Sequence, residues 1–322
     1  MAWYLVVIIF IASCAVLSWL SSRLVKSLVE VAKYLQWREF IIAFFVMALA
    51  ASLPDLFVCV NAVIQGKPLL ALGDIIGGNL VDLTLVLAIG VFFSKKGLSA
   101  ESAMVQKSAI FTAIIAVLPL LLILDSRLSR IDGVILIGAF VLYSWWLFSK
   151  SENFKKRYTS KKEAITIGFK GFLWNLVKIV VLLLLLLAAS QAVISSADFF
   201  AGRLGISLAL VGILIVGLGN AFPDMYFSII SARKNENWLV LGDVMGSVII
   251  CATLVLGLVA VMLPFDIPDF TPFVTARIIL ILAAILSLIF IRTNRKISRK
   301  EGLALLGLYI AFLIIEVFIS QA

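Results

Sequence analysis

Five aspartates stand inside apolar stretches of this chain. Asp55, Asp74 and Asp82 fall in LPDLFVCVNAVIQGKPLLALGDIIGGNLVDLTLVLAIG (53–90), and Asp224 and Asp243 in a second such stretch, 222–259. A carboxylate at the centre of a bilayer costs roughly 3 kcal/mol on insertion scales, so each acid there marks a functional position by default. Carboxylates gathered with hydroxyl, amide and backbone oxygens are hard donors suited to Na⁺ or Ca²⁺. A bound cation offsets the cost of burying them.

The two stretches are copies of one another. With residue i set against i+169, PDLFVCV (54–60) falls on PDMYFSI (223–229), and LALGDIIGGNLVDLTLVL (70–87) on LVLGDVMGSVIICATLVL (239–256). Eleven of the 38 pairs from Leu53/Phe222 to Gly90/Val259 are identical without a gap, among them Pro54/Pro223, Asp55/Asp224, Gly73/Gly242, Asp74/Asp243 and Gly77/Gly246. Matching leucines mean little in apolar sequence. Two Pro-Asp and two Gly-Asp pairs in register do not arise readily by chance.

Each proline removes a backbone N–H and clashes with the carbonyl one turn earlier. A kink or a break is therefore expected near Ala50 to Ser52, before Pro54, and near Gly219 and Asn220, before Pro223. Carbonyls freed there add to the donors around Asp55 and Asp224. On the following helix Asp74, Gly78 and Asp82 are spaced i, i+4, i+8 and share one face. The equivalent face of the second copy carries Asp243, Ser247 and Cys251, so one carboxylate is lost and a hydroxyl gained. Gly77 and Gly78 permit close approach of a neighbouring backbone. The expected ion-binding set is Asp55, Asp224, Asp82, Ser52, Asn220, Ser247 and Asn79, with Asp74, Asp243, Gly78 and Cys251 behind it. Asn79, Asn220, Ser52 and Ser247 have an alternative use as hydrogen bonders between helices.

The elements that must position these residues are membrane helices. The 322 residues are 63% hydrophobic with a mean hydropathy of +1.17, against roughly 45–50% apolar usage in soluble domains. A spanning helix needs about 20 mainly apolar residues. Ten are predicted, at 2–21, 39–64, 68–94, 108–125, 132–149, 170–194, 206–232, 238–264, 273–291 and 303–320, leaving no room for a soluble domain. Met1 to Leu20 lacks the basic start and small-residue cleavage site of a signal peptide. Odd-numbered connections carry 21 of the 27 lysines and arginines, so that face is expected to be cytoplasmic and both termini extracellular.

Five helices precede the second copy's first helix, and five is odd. The fold class predicted is thus an all-α polytopic membrane protein of ten helices in two inverted five-helix repeats. The first repeat covers 1–149 (motif 47–90), a basic cytoplasmic linker 150–169, and the second repeat 170–322 (motif 216–259). Inverted repeats are a signature of secondary transporters, whose sites lie at the midplane where the halves meet. The net charge of +9 belongs to the loops and implies no nucleic acid. Cys14, Cys59 and Cys251 fall in predicted spans without metal-like spacing and are read as small buried hydrophobes, with no disulfide. Trp145, Trp146, Trp174 and Trp238 are expected in the interfacial belt.

The paired segments PDL…ALGDIIGGNLVD and PDM…VLGDVMGSVIIC resemble the two α-repeats of the sodium/calcium exchanger family. The motif resemblance covers about 40 residues in each half, and the ten-helix inverted plan extends it over the chain. It implies a secondary cation antiporter of the cell membrane working by alternating access, with Ca²⁺, Na⁺ or, in the alternative, H⁺ as transported cations and no other cofactor. Inorganic cations and the bilayer are the partners, with no obligatory protein. The family's two cation-binding glutamates fall on Asp55 and Asp224. Its Gly-Ser-Asn segment falls on Gly77, Gly78 and Asn79, then on Gly246, Ser247 and Val248; the polar position beyond it falls on Asp82 and Cys251.

The chain departs from that pattern. Both glutamates are aspartates, the first Ser is Gly78, the second Asn is Val248, and the hydroxyl pair before the acid reads Ala51-Ser52 and Asn220-Ala221. Asp74 and Asp243 stand where a neutral polar residue is expected. Shortening a carboxylate by one methylene shifts its reach by about 1.5 Å, so ion identity stays open. Cation/proton exchange is the nearest alternative; the chain has no histidine, so crowded carboxylates would carry the proton. Remoter readings are an intramembrane aspartyl protease built on the Gly73-Asp74 motif and a non-transporting sensor or passive channel on the same fold.

Overall fold

The computed structural model describes residues 3–34, 39–149 and 169–321. Among these the helical runs are α1 (Trp3–Tyr34), α2 (Glu39–Ile64), α3 (Pro68–Phe93), α4 (Ala103–Leu122), α5 (Arg130–Ser149), α6 (Phe169–Leu204), α7 (Leu208–Arg233), α8 (Asn237–Met262), α9 (Thr271–Arg292) and α10 (Arg299–Gln321). Eight of them are long and apolar enough to cross a membrane; α2 contributes a shorter apolar helix, Ser52–Ile64, and α10 is outside the set. The protein is an all-helical, multi-pass membrane protein. Most of the basic linker lies outside the described residues.

Burial separates two kinds of helix. In α3 and α8, 78% and 83% of the apolar window is buried inside the protein, and in α7 67%, against 22% in α6. The helices carrying the duplicated motifs are therefore the core. Helices α1 and α6 pack on each other at its side and turn Trp19, Trp174, Val177, Val180 and Leu184 outward. Both are longer than their apolar stretches predict, at 32 and 36 residues. No proline interrupts either, and at 1.5 Å per residue a helix of that length exceeds the roughly 30 Å hydrocarbon layer. It must tilt or project beyond it.

Glycine lets α3 and α7 touch backbone to backbone. A Cβ at Gly217 would stand 2.6 Å from the Gly78 nitrogen, and one at Gly212 2.6 Å from the Leu70 carbonyl oxygen; Gly73 and Gly77 meet the Ala209 and Ile213 backbones as closely. Such contact joins a helix of the first copy to one of the second.

Three π-helical turns interrupt the core: Asp82–Val86 in α3, Cys251–Val255 in α8 and Gly212–Val216 in α7. The first two are equivalent by the offset of 169. Each is accompanied by a threonine hydroxyl bonded to the carbonyl four residues back, Thr84 to Leu80 and Thr253 to Ile249, both at 2.5 Å. The proline sites differ from one another. Helix α7 turns at Ala221, and Pro223 then opens the segment Phe222–Arg233. Helix α2 runs unbroken through Pro54, so of the kink or break expected there the break is absent. One missing hydrogen bond is tolerated in a membrane helix when neighbours satisfy the freed carbonyl.

Two short ladders tie the connections together. Strand β1 (Leu98–Ser99) pairs antiparallel with β4 (Lys296–Ile297), and β2 (Arg127–Leu128) with β3 (Phe265–Asp266). The first joins the α3–α4 and α9–α10 connections, the second the α4–α5 and α8–α9 connections. Trp145 and Trp174 are exposed as a belt residue should be, and Trp238 partly so. Trp146 instead packs on Phe111, with ring centroids 4.6 Å apart, and on Tyr143 at 5.9 Å.

Candidate cation site

Four motif helices converge on the aspartates. Asp74, Asp82 and Asp224 are 1%, 3% and 6% exposed, and Asp55 and Asp243 are partly buried. The Asp224 carboxylate lies within electrostatic reach of Asp243, Asp82 and Asp55, and Asp55 within reach of Asp74. All five thus share one buried neighbourhood in which like charges repel.

Asn220 is the hub on the first-copy side. Its Nδ2 donates to both carboxylate oxygens of Asp74 at 3.1 Å each, and its side chain also reaches Asp55. An amide whose NH₂ serves carboxylates turns its oxygen away from them. Asn220 Oδ1 accordingly has no partner, and neither has Asp82 Oδ1, although both are buried. Native proteins seldom leave such atoms orphaned without a functional reason. Ser247 reaches the Asp82 carboxylate, and Ser52, one turn before Asp55, reaches the Cys251 thiol.

The cysteines behave differently from the sequence expectation. All three are buried and free, as expected. Yet the Cys251 Sγ donates to Asp55 Oδ2 at 3.2 Å, and the Cys59 Sγ to Asp74 Oδ2 at 3.6 Å. The reading as a small buried hydrophobe is therefore corrected for Cys59, and for Cys251 its expected place behind the ion-binding set is the one the contact fits. Cys59 was missed as a neighbour of the cluster, although its spacing of four from Asp55 places it on the same helix face. Its copy, Ser228, bonds instead to the Val86 carbonyl at 3.1 Å inside the α3 π turn.

The structure brings together Asp55, Asp74, Asp82, Asp224, Asp243, Ser52, Asn220, Ser247 and Cys251. Asn79 is buried, but none of its described hydrogen bonds joins it to the carboxylates. Gly78 borders open space: a Cβ built there meets nothing within 4 Å. Among the described residues no group of three His, Cys, Asp or Glu side chains is drawn into metal-ready geometry.

The family model described as sodium/calcium exchanger protein matches residues 5–149 and 174–318. The chain belongs to the sodium/calcium exchanger family. Curated relatives include the sodium/calcium exchanger MaX1 of Methanosarcina acetivorans, 25% identical with 93% of this chain and 95% of that protein covered. Another is the putative antiporter CaxA of Alkalimonas amylolytica, 27% identical over 96% and 98%. Among solved structures the sodium-calcium exchanger NCX_Mj shares the fold, with a TM-score of 0.64, 22% identity, and 97% of this chain and 99% of that one covered. Membership in a family of transporters sets aside the aspartyl protease reading, and the chain is not an enzyme.

Proposed function

We propose that this exchanger-family chain is a secondary active Na⁺/Ca²⁺ antiporter in which Asp55 and Asp224 hold the transported cation at the membrane midplane. The observation that carries the reading is the pair of orphaned buried oxygens, Asp82 Oδ1 and Asn220 Oδ1, inside a cluster of mutually repelling carboxylates. A hard cation supplies what both lack: positive charge for the carboxylates and a partner for each lone pair. Asp82, Ser52, Asn220 and Ser247 complete the set, and Asp74 and Asp243 support it from behind.

The same proposal includes ten spans in two inverted repeats. The ladder pairings support it. With alternating spans, the α3–α4 and α9–α10 connections share one membrane face and the α4–α5 and α8–α9 connections the other, as β1–β4 and β2–β3 require. The first face carries Lys95, Lys96, Arg292, Arg295, Lys296, Arg299 and Lys300 and is assigned to the cytoplasm of a cell-membrane protein, with both termini outside. Alternating access then follows from α1 and α6, which pack on each other and on α2, sliding over the buried motif core. Neutralisation of the cluster by bound ions permits the slide. No protein partner is needed for this cycle.

The test is Ca²⁺ uptake into proteoliposomes under an outward Na⁺ gradient, repeated with a pH gradient in its place. Uptake that follows the Na⁺ gradient and ignores the pH gradient supports the reading. Uptake driven only by pH transfers it to cation/proton exchange.

A further inference from the structure

The two copied π turns differ in one tie. Each has its threonine bonded one turn back, Thr84 to Leu80 and Thr253 to Ile249. The α3 turn is also held from α7: Ser228 Oγ donates to the Val86 carbonyl at 3.1 Å, and both residues are buried. Gly90 makes room for that hydroxyl, since a Cβ there would stand 2.6 Å from Ser228 Oγ. By the offset of 169 the counterparts of Ser228, Val86 and Gly90 are Cys59, Val255 and Val259. The described bonds of Cys59 run to the Ala71 carbonyl and to Asp74 instead, and a valine side chain stands where the first copy has its glycine.

The tie sits where the carboxylates are. The α3 turn begins on Asp82, and its α8 copy on Cys251. Ser228 follows Asp224 by four residues and shares its helix face, within the segment Phe222–Arg233. That segment packs on the α3 turn and on Leu87–Phe93 after it. One hydrogen bond thus joins the segment carrying Asp224 to the turn that opens on Asp82, and these two carboxylates lie within electrostatic reach of each other. Like charges drive them apart when no cation is bound. A membrane helix keeps an irregular turn where a neighbour's side chain serves its carbonyls. Conversion to regular α-helix would rotate the residues on either side of the turn against each other by about 100°.

We infer that Ser228 is a positioning residue for the cation site: through the Val86 carbonyl it braces the α3 π turn against α7 and fixes the spacing of Asp82 and Asp224, with Gly90 supplying the space it needs. It acts without being a ligand, because its hydroxyl proton is spent on a backbone carbonyl. The inference rests on reading Asp82 as a cation ligand. A brace of this kind changes cation affinity through Asp82, whereas a residue that only packs loosens the protein whatever stands at position 82.

The test is equilibrium binding of radioactive Ca²⁺ to the purified full-length protein, for wild type, Ser228→Ala, Asp82→Asn and the double variant, each verified as folded. Ser228→Ala is expected to weaken Ca²⁺ binding about fivefold, what one neutral hydrogen bond is worth. It should have no further effect once Asp82 is replaced by Asn, the coupling that a double-mutant cycle detects. Ser228→Cys, which gives α7 the residue its copy carries and keeps a weak donor, should lose less, and it carries the same comparison if Ser228→Ala does not fold. Unchanged affinity in the folded variant overturns the inference. An equal loss with and without Asp82 also overturns it, because that is the result of general loosening. Failure of the cation reading shows separately, as wild-type Ca²⁺ binding that Asp82→Asn leaves unchanged, and the inference falls with it.

Discussion

Asn220 Nδ2 lies 3.1 Å from each carboxylate oxygen of Asp74, and the two residues belong to different copies of the repeat. The bond has no symmetric counterpart, because the residue 169 before Asn220 is Ala51, opposite Asp243 in the copied arrangement. Asp74 is therefore held by an amide and buried, while Asp243 has no described hydrogen bond and is partly exposed. Two copies of one motif have become two different halves of a site.

Asn220→Ala removes the donor that serves Asp74 and leaves its carboxylate buried. The expected cost is about 1–3 kcal/mol of stability, read as a lower unfolding temperature in detergent, together with a rise of roughly tenfold in the Ca²⁺ concentration needed for half-maximal uptake. An unchanged unfolding temperature would show that the bond contributes nothing.

Adjacent glycines should respond in opposite ways. Gly77→Ala drives a Cβ into the Ile213 backbone, whereas Gly78→Ala meets nothing within 4 Å. The first change should destabilise by about 1–3 kcal/mol, as overpacking does, and the second should leave stability close to wild type. Thermal unfolding of the two variants side by side checks this. Gly78→Ser should also fold, and its hydroxyl should alter the Ca²⁺ dependence of uptake.

What the sequence made legible follows from its duplication. The offset of 169 marked the stretches that the structure buries most deeply, in α3 and α8, and singled out Asp55, Asp82, Asp224, Asn220 and Ser247 as one set, because apolar context leaves a polar residue few other reasons to be there. The π turns were not legible: hydropathy carries no signal for i→i+5 bonding, and only the identical Thr84/Thr253 pair hinted at them. Cys59 was misread because a buried cysteine looks the same in sequence whether it faces a leucine or a carboxylate. Trp146 was assigned to the interface with Trp145, yet adjacent residues on a helix differ by about 100°, so one faces outward and the other packs on Phe111. Sequence could not choose between a kink and a break at Pro54, where α2 continues as helix, because the proline's missing N–H is compatible with either.

Helix α6 is tied to α2 by a polar patch. Asn61 Nδ2 donates to Ser190 Oγ at 2.9 Å and to the Leu187 carbonyl at 3.2 Å, Gln65 Nε2 to Gln191 Oε1 at 2.8 Å, and Lys67 pairs with Asp198. If α6 slides over the core, these bonds break in every cycle. Interhelical hydrogen bonds in membranes average about 0.6 kcal/mol, so Asn61→Leu should raise maximal exchange by about threefold with little change in half-saturating Ca²⁺. Equal rates for variant and wild type would argue that α6 stays fixed to α2.

Residues that make a site together fail together. The most direct measurement is Na⁺-gradient-driven Ca²⁺ uptake by proteoliposomes containing wild type, Asp55→Asn or Asp224→Asn, each verified as folded and equally reconstituted. Gradient-dependent uptake in the wild type, falling at least about a hundredfold in both variants, is the predicted result; that factor corresponds to roughly 2.7 kcal/mol of lost ion stabilisation. Uptake by the wild type that survives either substitution would contradict a cation held between the paired aspartates.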